Sequence, residues 1–322
     1  MRWCTGWEGG PAAGRAPLAG RAVPGLDGVW SVGWPADRVR LARAGEVALV
    51  VVGECGADDR QLAAGLRAVR AGRWRELTAW PGSYLAVARR GAVTAVIGDL
   101  AGQHPVYWRQ ADGGLWWASA ASPLAALDGA PVDPVGLAAL VAVGQPDVLG
   151  ERSLFRGVHR VPAGHLLLTG PTGSRTVRYE PEEYEAVNLR EGAGGVRAAL
   201  SLAVAARLDG RPVSADLAGL DSTTVACLAA QRQPVTAVTF TDPRIRDDDM
   251  AYARRTAAAV AGLDHHAASG TPETVYYAGL DDLGALPVTD APHPYTVTAS
   301  VKRAVLDTVV ARNSRGGVHF TG

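Results

Sequence analysis

The stretch Val213-Ser214-Ala215-Asp216-Leu217-Ala218-Gly219-Leu220-Asp221-Ser222-Thr223-Thr224 runs from a β-like segment through a small-residue turn straight into an apolar helix. A strand that feeds a helix through so short a turn belongs to a parallel sheet, because antiparallel neighbours need no crossover. Such a turn leaves backbone N–H groups at a helix N-terminus, where the helix dipole favours anions. Asp221 stands where it could hold a metal ion beside a phosphate, and Ser222 and Thr223 add hydroxyl donors. Taken alone, the same residues also describe an ordinary helix start with Asp221 or Ser222 as the N-cap. Both readings stay open at this point.

The flanking sequence extends the α/β pattern. Helical periodicity over Val196–Leu208, a strand at Pro212–Leu217 and a helix at Ser222–Gln231 are succeeded by an apolar run, Val235–Thr241. A long helix over Asp249–Leu263, another over Thr298–Ala311 and a short strand at Val318–Thr321 complete the set. Alternating strands and helices predict a doubly wound parallel sheet, with ligands at the C-terminal ends of its strands. Thr241-Asp242 and Thr321-Gly322 fall at two such ends.

The first half reads differently. Val47–Val52, Ser83–Ala88, Ala92–Ile97, Val106–Arg109 and Leu115–Ala118 are short apolar or alternating runs punctuated by Gly, Pro and Asp. Two helices, Arg60–Ala71 and Pro134–Val143, interrupt them, and His165–Thr169 with Thr176–Tyr179 forms a final hairpin. The expectation is an α+β domain of layered antiparallel sheets over 1–185. Tyr179–Gly195, with Gly-Ala-Gly-Gly at its end, reads as the linker to an α/β domain over 186–322.

Composition narrows the function. With 32 basic and 32 acidic residues the chain has zero formal charge, which gives no support for a nucleic-acid surface, since that needs a basic face. The longest apolar run, Val47–Val52, is far too short to span a membrane, and Met1–Gly10 has no apolar signal core. Cys4, Cys55 and Cys227 show no paired spacing and fit a reducing cytoplasm. Lys302 is the only lysine. No Walker lysine loop, GxSxG, HExxH or EF-hand pattern is present. His265-His266 reads as a strand-edge pair in preference to metal ligands, and Asp247-Asp248-Asp249 as an acidic helix start in preference to a magnesium site. A lysine-free loop such as Asp216–Thr223 suits a nucleotide whose pyrophosphate leaves as a unit, which is the chemistry of adenylation.

Several segments together resemble the asparagine synthetase-like amide ligases. Asp216–Thr223 is similar to their pyrophosphate loop S-G-G-x-D-S, and Val238-Thr239-Phe240-Thr241 to the strand along the adenine. Asp249-Met250-Ala251-Tyr252-Ala253 with His265-His266 resembles their next helix. Val318–Gly322 resembles the strand that opens T/S-G-x-G-G-D-E. Gly98–Tyr107 is similar to R-D-x-x-G-x-x-P-L-Y, and Leu154–His165 to T-L-F-x-G-I-x-x-L-P-P-G-H. The resemblance implies an Ntn-hydrolase-like glutaminase domain and, after it, an adenine nucleotide alpha hydrolase-like domain. The family's glutaminase domain starts with Cys directly after the initiator Met, its free α-amine serving as base. Here residue 2 is Arg, Cys4 is internal, the R-G-P-D and N-G-E segments have no match, and Pro81 precedes Gly82 where Asp is usual. The first domain is therefore expected to keep the fold without the activity.

A degenerate glutaminase joined to a ligase half resembles lasso-peptide macrolactam synthetases and β-lactam synthetases, and the D-L-x-G-L-D-S-T wording, the Arg/Ala-rich style and Asp247-Asp248-Asp249 look most like the actinobacterial lasso-peptide enzymes. The resemblance implies ATP and Mg²⁺ as cofactors. It implies a precursor peptide as substrate, with its leader-binding protein and leader peptidase as partners. A glutamine-hydrolysing asparagine synthetase and a non-catalytic peptide-binding scaffold are the alternatives. Leu217, Ala218, Gly219, Asp221, Ser222 and Thr223 would hold the pyrophosphate, with Asp221 on the metal. Thr241, Thr321 and Gly322 would line the adenosine site. Leu217-Ala218 replaces the family's Ser-Gly, or one residue is deleted. Because the chain stops directly after a strand, it is expected to be cut short, ahead of the G-G-D-E acid and the family's catalytic lysine. No catalytic residue is expected within it, and Lys302, on a helix before the last strand, is not expected in the site.

Overall fold

The protein is described by a computed structural model covering residues 1–12, 14–111, 113–144, 146–281, 289–291, 294–313 and 316–321. It divides into two compact units, Met1–Ala186 with Val288–Ala291, and Val187–Pro287 with Pro292–Gly322.

In the first unit the strands are β1 (Trp3–Glu8), β2 (Arg21–Ala22), β3 (Val29–Val32), β4 (Val39–Ala44), β5 (Val47–Cys55), β6 (Gly82–Arg90), β7 (Val93–Ile97), β8 (Tyr107–Ala111), β9 (Gly114–Ala118), β10 (His159–Arg160), β11 (His165–Gly170) and β12 (Gly173–Arg178). They form two antiparallel sheets, β10-β8-β9-β1-β3-β2 and β12-β11-β7-β6-β5-β4. The helices are α1 (Asp59–Ala71), α2 (Ala121–Ala125) and α3 (Pro134–Val143).

Alternation along β5 explains the layering. Val50 and Val52 join Cys4, Leu85, Val87, Val96 and Trp117 in a core between the two sheets. Leu49 and Val51 point the other way, onto Leu62, Leu66 and Val69 of α1. A strand covered on both faces becomes a continuous apolar run, which is how Val47–Val52 reads. On the outer face of the other sheet, Trp7, Trp30 and Trp116 pack with Leu124 of α2. The order is helix, sheet, sheet, helix, an α+β arrangement of layered antiparallel sheets as expected. Helix α1 starts on a capping box between Asp58 and Gln61 and ends on Gly72 at φ 67°. Strands β1, β3 and β4 are not evident from the sequence pattern: they are aromatic-rich or carry Arg, and lack a clean apolar run.

The second unit contains α4 (Leu189–Ala205), β13 (Val213–Asp216), α5 (Leu220–Ala230), β14 (Val235–Thr241), α6 (Asp249–Ala259), β15 (Leu263–Ser269), α7 (Pro294–Val297), α8 (Ala299–Asn313) and β16 (Val318–Phe320). Its described strands make one parallel sheet, β15-β14-β13-β16. Val204, Ala226, Ala229 and Ala253, from α4, α5 and α6, cover one face through Val213, Ala215, Val235 and Ala237. Val305 and Val309 of α8 cover the other through Val238 and Ala268. Helices on both faces make the sheet doubly wound.

The second unit departs from expectation in two places. The Gly-Ala-Gly-Gly stretch is helix, not linker: Asn188 caps Glu191 and α4 runs through Gly192, Gly194 and Gly195. The helix expected over Asp249–Leu263 stops at Ala259, and Leu263–Ser269 is an edge strand. Among the described residues no helix is long and apolar enough to cross a membrane.

Candidate functional site

Strand β13 lies inside the sheet, so the turn after it emerges at the sheet's C-terminal edge, where α/β proteins place ligands. Leu217 is fully buried. Its N–H donates to the Val238 carbonyl at 2.9 Å, and its own carbonyl accepts from Thr239 Oγ1. Thr239 Oγ1 also lies 2.8 Å from His265 Nε2. Since the hydroxyl proton goes to Leu217, the imidazole donates from Nε2. Burial, and after it the nearby His266 and Arg254, pulls His265 below its usual pKa. This chain of bonds fixes the last residue before the turn.

The turn ends on Gly219, which is the N-cap of α5 at φ −70° and ψ 177°, with no side-chain cap. Asp221 and Ser222 lie two and three residues further in, within the first helical turn, so neither is the N-cap. Ser222 Oγ turns back onto the Gly219 carbonyl at 3.3 Å. The first-turn N–H groups of α5 thus open outward without a capping side chain. A Cβ on Gly219 would meet nothing within 4 Å, so the space above it is open.

Asp216 ends β13 and organises the opposite wall. Lys302 Nζ, from α8, donates to Asp216 Oδ2 at 2.5 Å. Thr321 Oγ1, beyond β16, donates to the same oxygen at 2.8 Å, and lies 3.2 Å from Lys302 Nζ. His319 Nε2 reaches Asp216 Oδ1 at 3.2 Å, and His319 Nδ1 lies 2.9 Å from Ser214 Oγ. An ionised carboxylate only accepts, so His319 donates from Nε2. Burial alone would raise the Asp216 pKa. The donors His319, Lys302 and Thr321 outweigh it and hold the carboxyl at about 2. Asp216 is therefore an anion at neutral pH.

Between these walls lies a cavity of about 310 Å³, at the small end of the range for ligand pockets. Ala218, Gly219, Asp221, Ser222 and Thr321 line it, and so does Lys302, which the sequence reading left out of the site. Three residues named from the sequence do not line this cavity. Leu217 is in the core with both backbone groups engaged. Thr223 bonds back to the Ala218 carbonyl at 3.5 Å and lines a separate groove against α4. On β14 the cavity wall is made by Val238 and Phe240 and not by Thr241, whose carbonyl accepts from Gly270. Gly322 lies outside the described residues.

Sequence reasoning missed Lys302, Asp216 and His319 as site groups. The available signal was that one lysine stands in a chain whose other 31 basic residues are Arg. His266 pairs with Asp264, away from this cavity, and Asp247 accepts from the Asp249 N–H at a helix start.

The donor set suits a polyphosphate: uncapped helix N–H groups face a cavity edged by an ammonium. For a divalent cation the chain offers less. Both Asp216 oxygens are taken, and among the described residues no cluster of three His, Cys, Asp or Glu side chains could hold a metal. Asp221 is exposed at the cavity and supplies one carboxylate. That fits magnesium carried in on phosphate oxygens and held by a single carboxylate.

Residues 195–306 match the asparagine synthase family model. The second unit resembles asparagine synthase. The matched segment holds the turn, Asp221, Asp216 and Lys302. No curated protein matches the chain. Among solved structures, glutamine phosphoribosylpyrophosphate amidotransferase from B. subtilis, complexed with ADP and GMP, is 11% identical. That likeness covers 99% of this chain and 84% of that one, at a TM-score of 0.33. A glutamine aminotransferase class-II domain protein from Silicibacter pomeroyi is 12% identical over 57% of this chain and 100% of that one, at 0.29.

Proposed function

We propose that the chain is an ATP-dependent ligase that joins a carboxylate to an amine. The observation that carries the reading is the uncapped start of α5, opening onto a cavity within the segment that matches asparagine synthase. A carboxylate oxygen attacks the α-phosphorus of ATP, the bond to the β-phosphate breaks, and pyrophosphate leaves. The amine then attacks the activated acyl carbon, forms the C–N bond and expels AMP, its proton passing to solvent. The first turn of α5 receives charge developing on the leaving pyrophosphate. Asp221 would hold Mg²⁺, which neutralises phosphate charge when bound.

The amine donor is the finer question, and Cys4 bears on it. It is 1% exposed, and burial pushes its thiol up to about 12, so it keeps its proton at neutral pH. A protonated, buried thiol is a poor nucleophile for releasing ammonia from glutamine. The reading this favours is a macrolactam synthetase, in which the amine is the substrate peptide's own N-terminus and the carboxylate is an Asp or Glu side chain. A leader-binding protein and a leader peptidase would then be its partners.

ATP–pyrophosphate exchange tests the proposal. The expected result is magnesium-dependent exchange on addition of a carboxylate peptide, and then loss of one water from that peptide. Exchange with free aspartate, followed by glutamine-dependent asparagine formation, would favour an asparagine synthetase, and no exchange with any carboxylate would favour a non-catalytic peptide-binding scaffold.

A further inference from the structure

We infer that Lys302 is the side-chain cation that binds the nucleotide's polyphosphate, and that Asp216 is its positioning residue; this rests on the ligase reading above. Charge is the first argument. Asp216 and Asp221 both border the cavity, and Asp216 is ionised. Without Lys302 the cavity presents two carboxylates, a poor receptor for a polyanion even with one divalent cation. With Lys302 the Asp216 charge is balanced at 2.5 Å, which removes that repulsion at the mouth of α5.

The turn gives the second argument. Leu217 spends its N–H on the sheet, and Ala218 carries a Cβ where the backbone would otherwise approach a phosphate closely. The turn therefore offers fewer donors than a glycine-rich phosphate loop. An ammonium across the cavity compensates.

Placement is the third. Lys302 Nζ is anchored by Asp216 and Thr321 while its side chain stays about one third exposed. It is thus held at the wall without being sealed from the cavity. An ammonium is a compact point charge that fits between a carboxylate and a hydroxyl, which a planar guanidinium does less well. Its position on α8, packed on the sheet through Val305 and Val309, fixes its reach.

The test uses the lysine itself. Wild-type protein is treated with an amine-acylating reagent, alone and with ATP, inorganic pyrophosphate or adenosine, and Lys302 acylation is monitored by peptide mass spectrometry. ATP and pyrophosphate should slow it about tenfold, while adenosine should leave it unchanged. In equilibrium binding, K302M should weaken ATP about tenfold and K302R should recover part of the loss, with circular dichroism unchanged. D216N should weaken ATP in wild type, where it releases the ammonium, but should not weaken it further in K302M, where it removes an unpaired carboxylate. If ATP binds wild type but neither protects Lys302 nor loses affinity in K302M, the assignment is overturned while the ligase reading stands. If wild type binds neither ATP nor pyrophosphate, both fall. The labelling arm needs no variant, so misfolding of K302M cannot obscure it.

Discussion

Lys302 and Asp216 meet at 2.5 Å across 86 positions of sequence, one on a helix that covers the sheet and the other at the tip of an inner strand. The contact ties α8 to β13, and with Thr321 and His319 it draws β16 into the same corner. The corner is at once a structural joint and the wall of the cavity. Its stability and its charge are therefore linked.

That linkage fixes a pH dependence. The folded pKa of Asp216, about 2, lies below its ordinary 3.8. A depressed carboxylate contributes stability that is fully present above the unfolded pKa and is lost as pH falls through the folded one. We expect the stability advantage of wild type over D216N to hold from pH 7 to about pH 5 and to shrink by ~1–2 kcal/mol between pH 4 and pH 2, after allowing for solvent screening. Urea unfolding of both proteins across that range measures it. An advantage that grows on acidification would contradict the assignment.

Cys4 supplies a second expectation. Its thiol lies in the core between the two sheets, and burial moves it from 9.0 to about 12. That upward shift leaves far less thiolate at pH 8 than an exposed cysteine would have. Native-state alkylation at pH 8 should spare Cys4 until urea unfolds the first unit, and ammonia release from glutamine should not exceed that of a C4A variant. Rapid native labelling of Cys4 would show that the thiol is reachable, and only ammonia release above that of C4A would restore a glutaminase role.

How far the sequence is legible depends on the range of the forces involved. Local signals carry through: the apolar run Val47–Val52, the Asp-Pro start of α3 and the strand–turn–helix at 213–230 are each encoded within a few residues. The layered and doubly wound classes come from how those elements alternate. The misses have their own causes. Three glycines within four residues look like a hinge, yet α4 continues through them, capped by Asn188 and packed on α5 from its C-terminal half. Strand β15 carries Asp264, His265 and His266 at the sheet's edge, so no apolar run announces it. Lys302 is invisible for a different reason. Its partners come from β13 and beyond β16, and only the crossing of α8 over the sheet brings them together.

In the first unit, Gly6 and Trp117 make a close pair across β1 and β9. A Cβ on Gly6 would lie 2.3 Å from the fully buried Trp117 indole, well inside contact distance. G6A should cost about 1–3 kcal/mol through overpacking. Trp117→Phe removes the part of the ring that Cβ would strike. The double variant G6A/W117F should then lose less than the sum of the two single losses. Full additivity in urea unfolding would mean that the two side chains do not share space.

The glycines of α4 give an expectation of opposite sign. Gly194 and Gly195 are exposed, neither has positive φ, and a Cβ on either would meet nothing within 4 Å. In a helix interior each glycine costs ~0.5–1 kcal/mol relative to alanine, mostly through the freedom it gives the unfolded chain. G194A and G195A should each raise stability by about that amount, and together raise the melting temperature by a few degrees. A flexible linker would respond differently, because no helix would be there for alanine to favour. Circular dichroism melts of the two variants therefore separate the alternatives: a gain fits helix from Leu189 onward, and unchanged melts would return this segment to a linker.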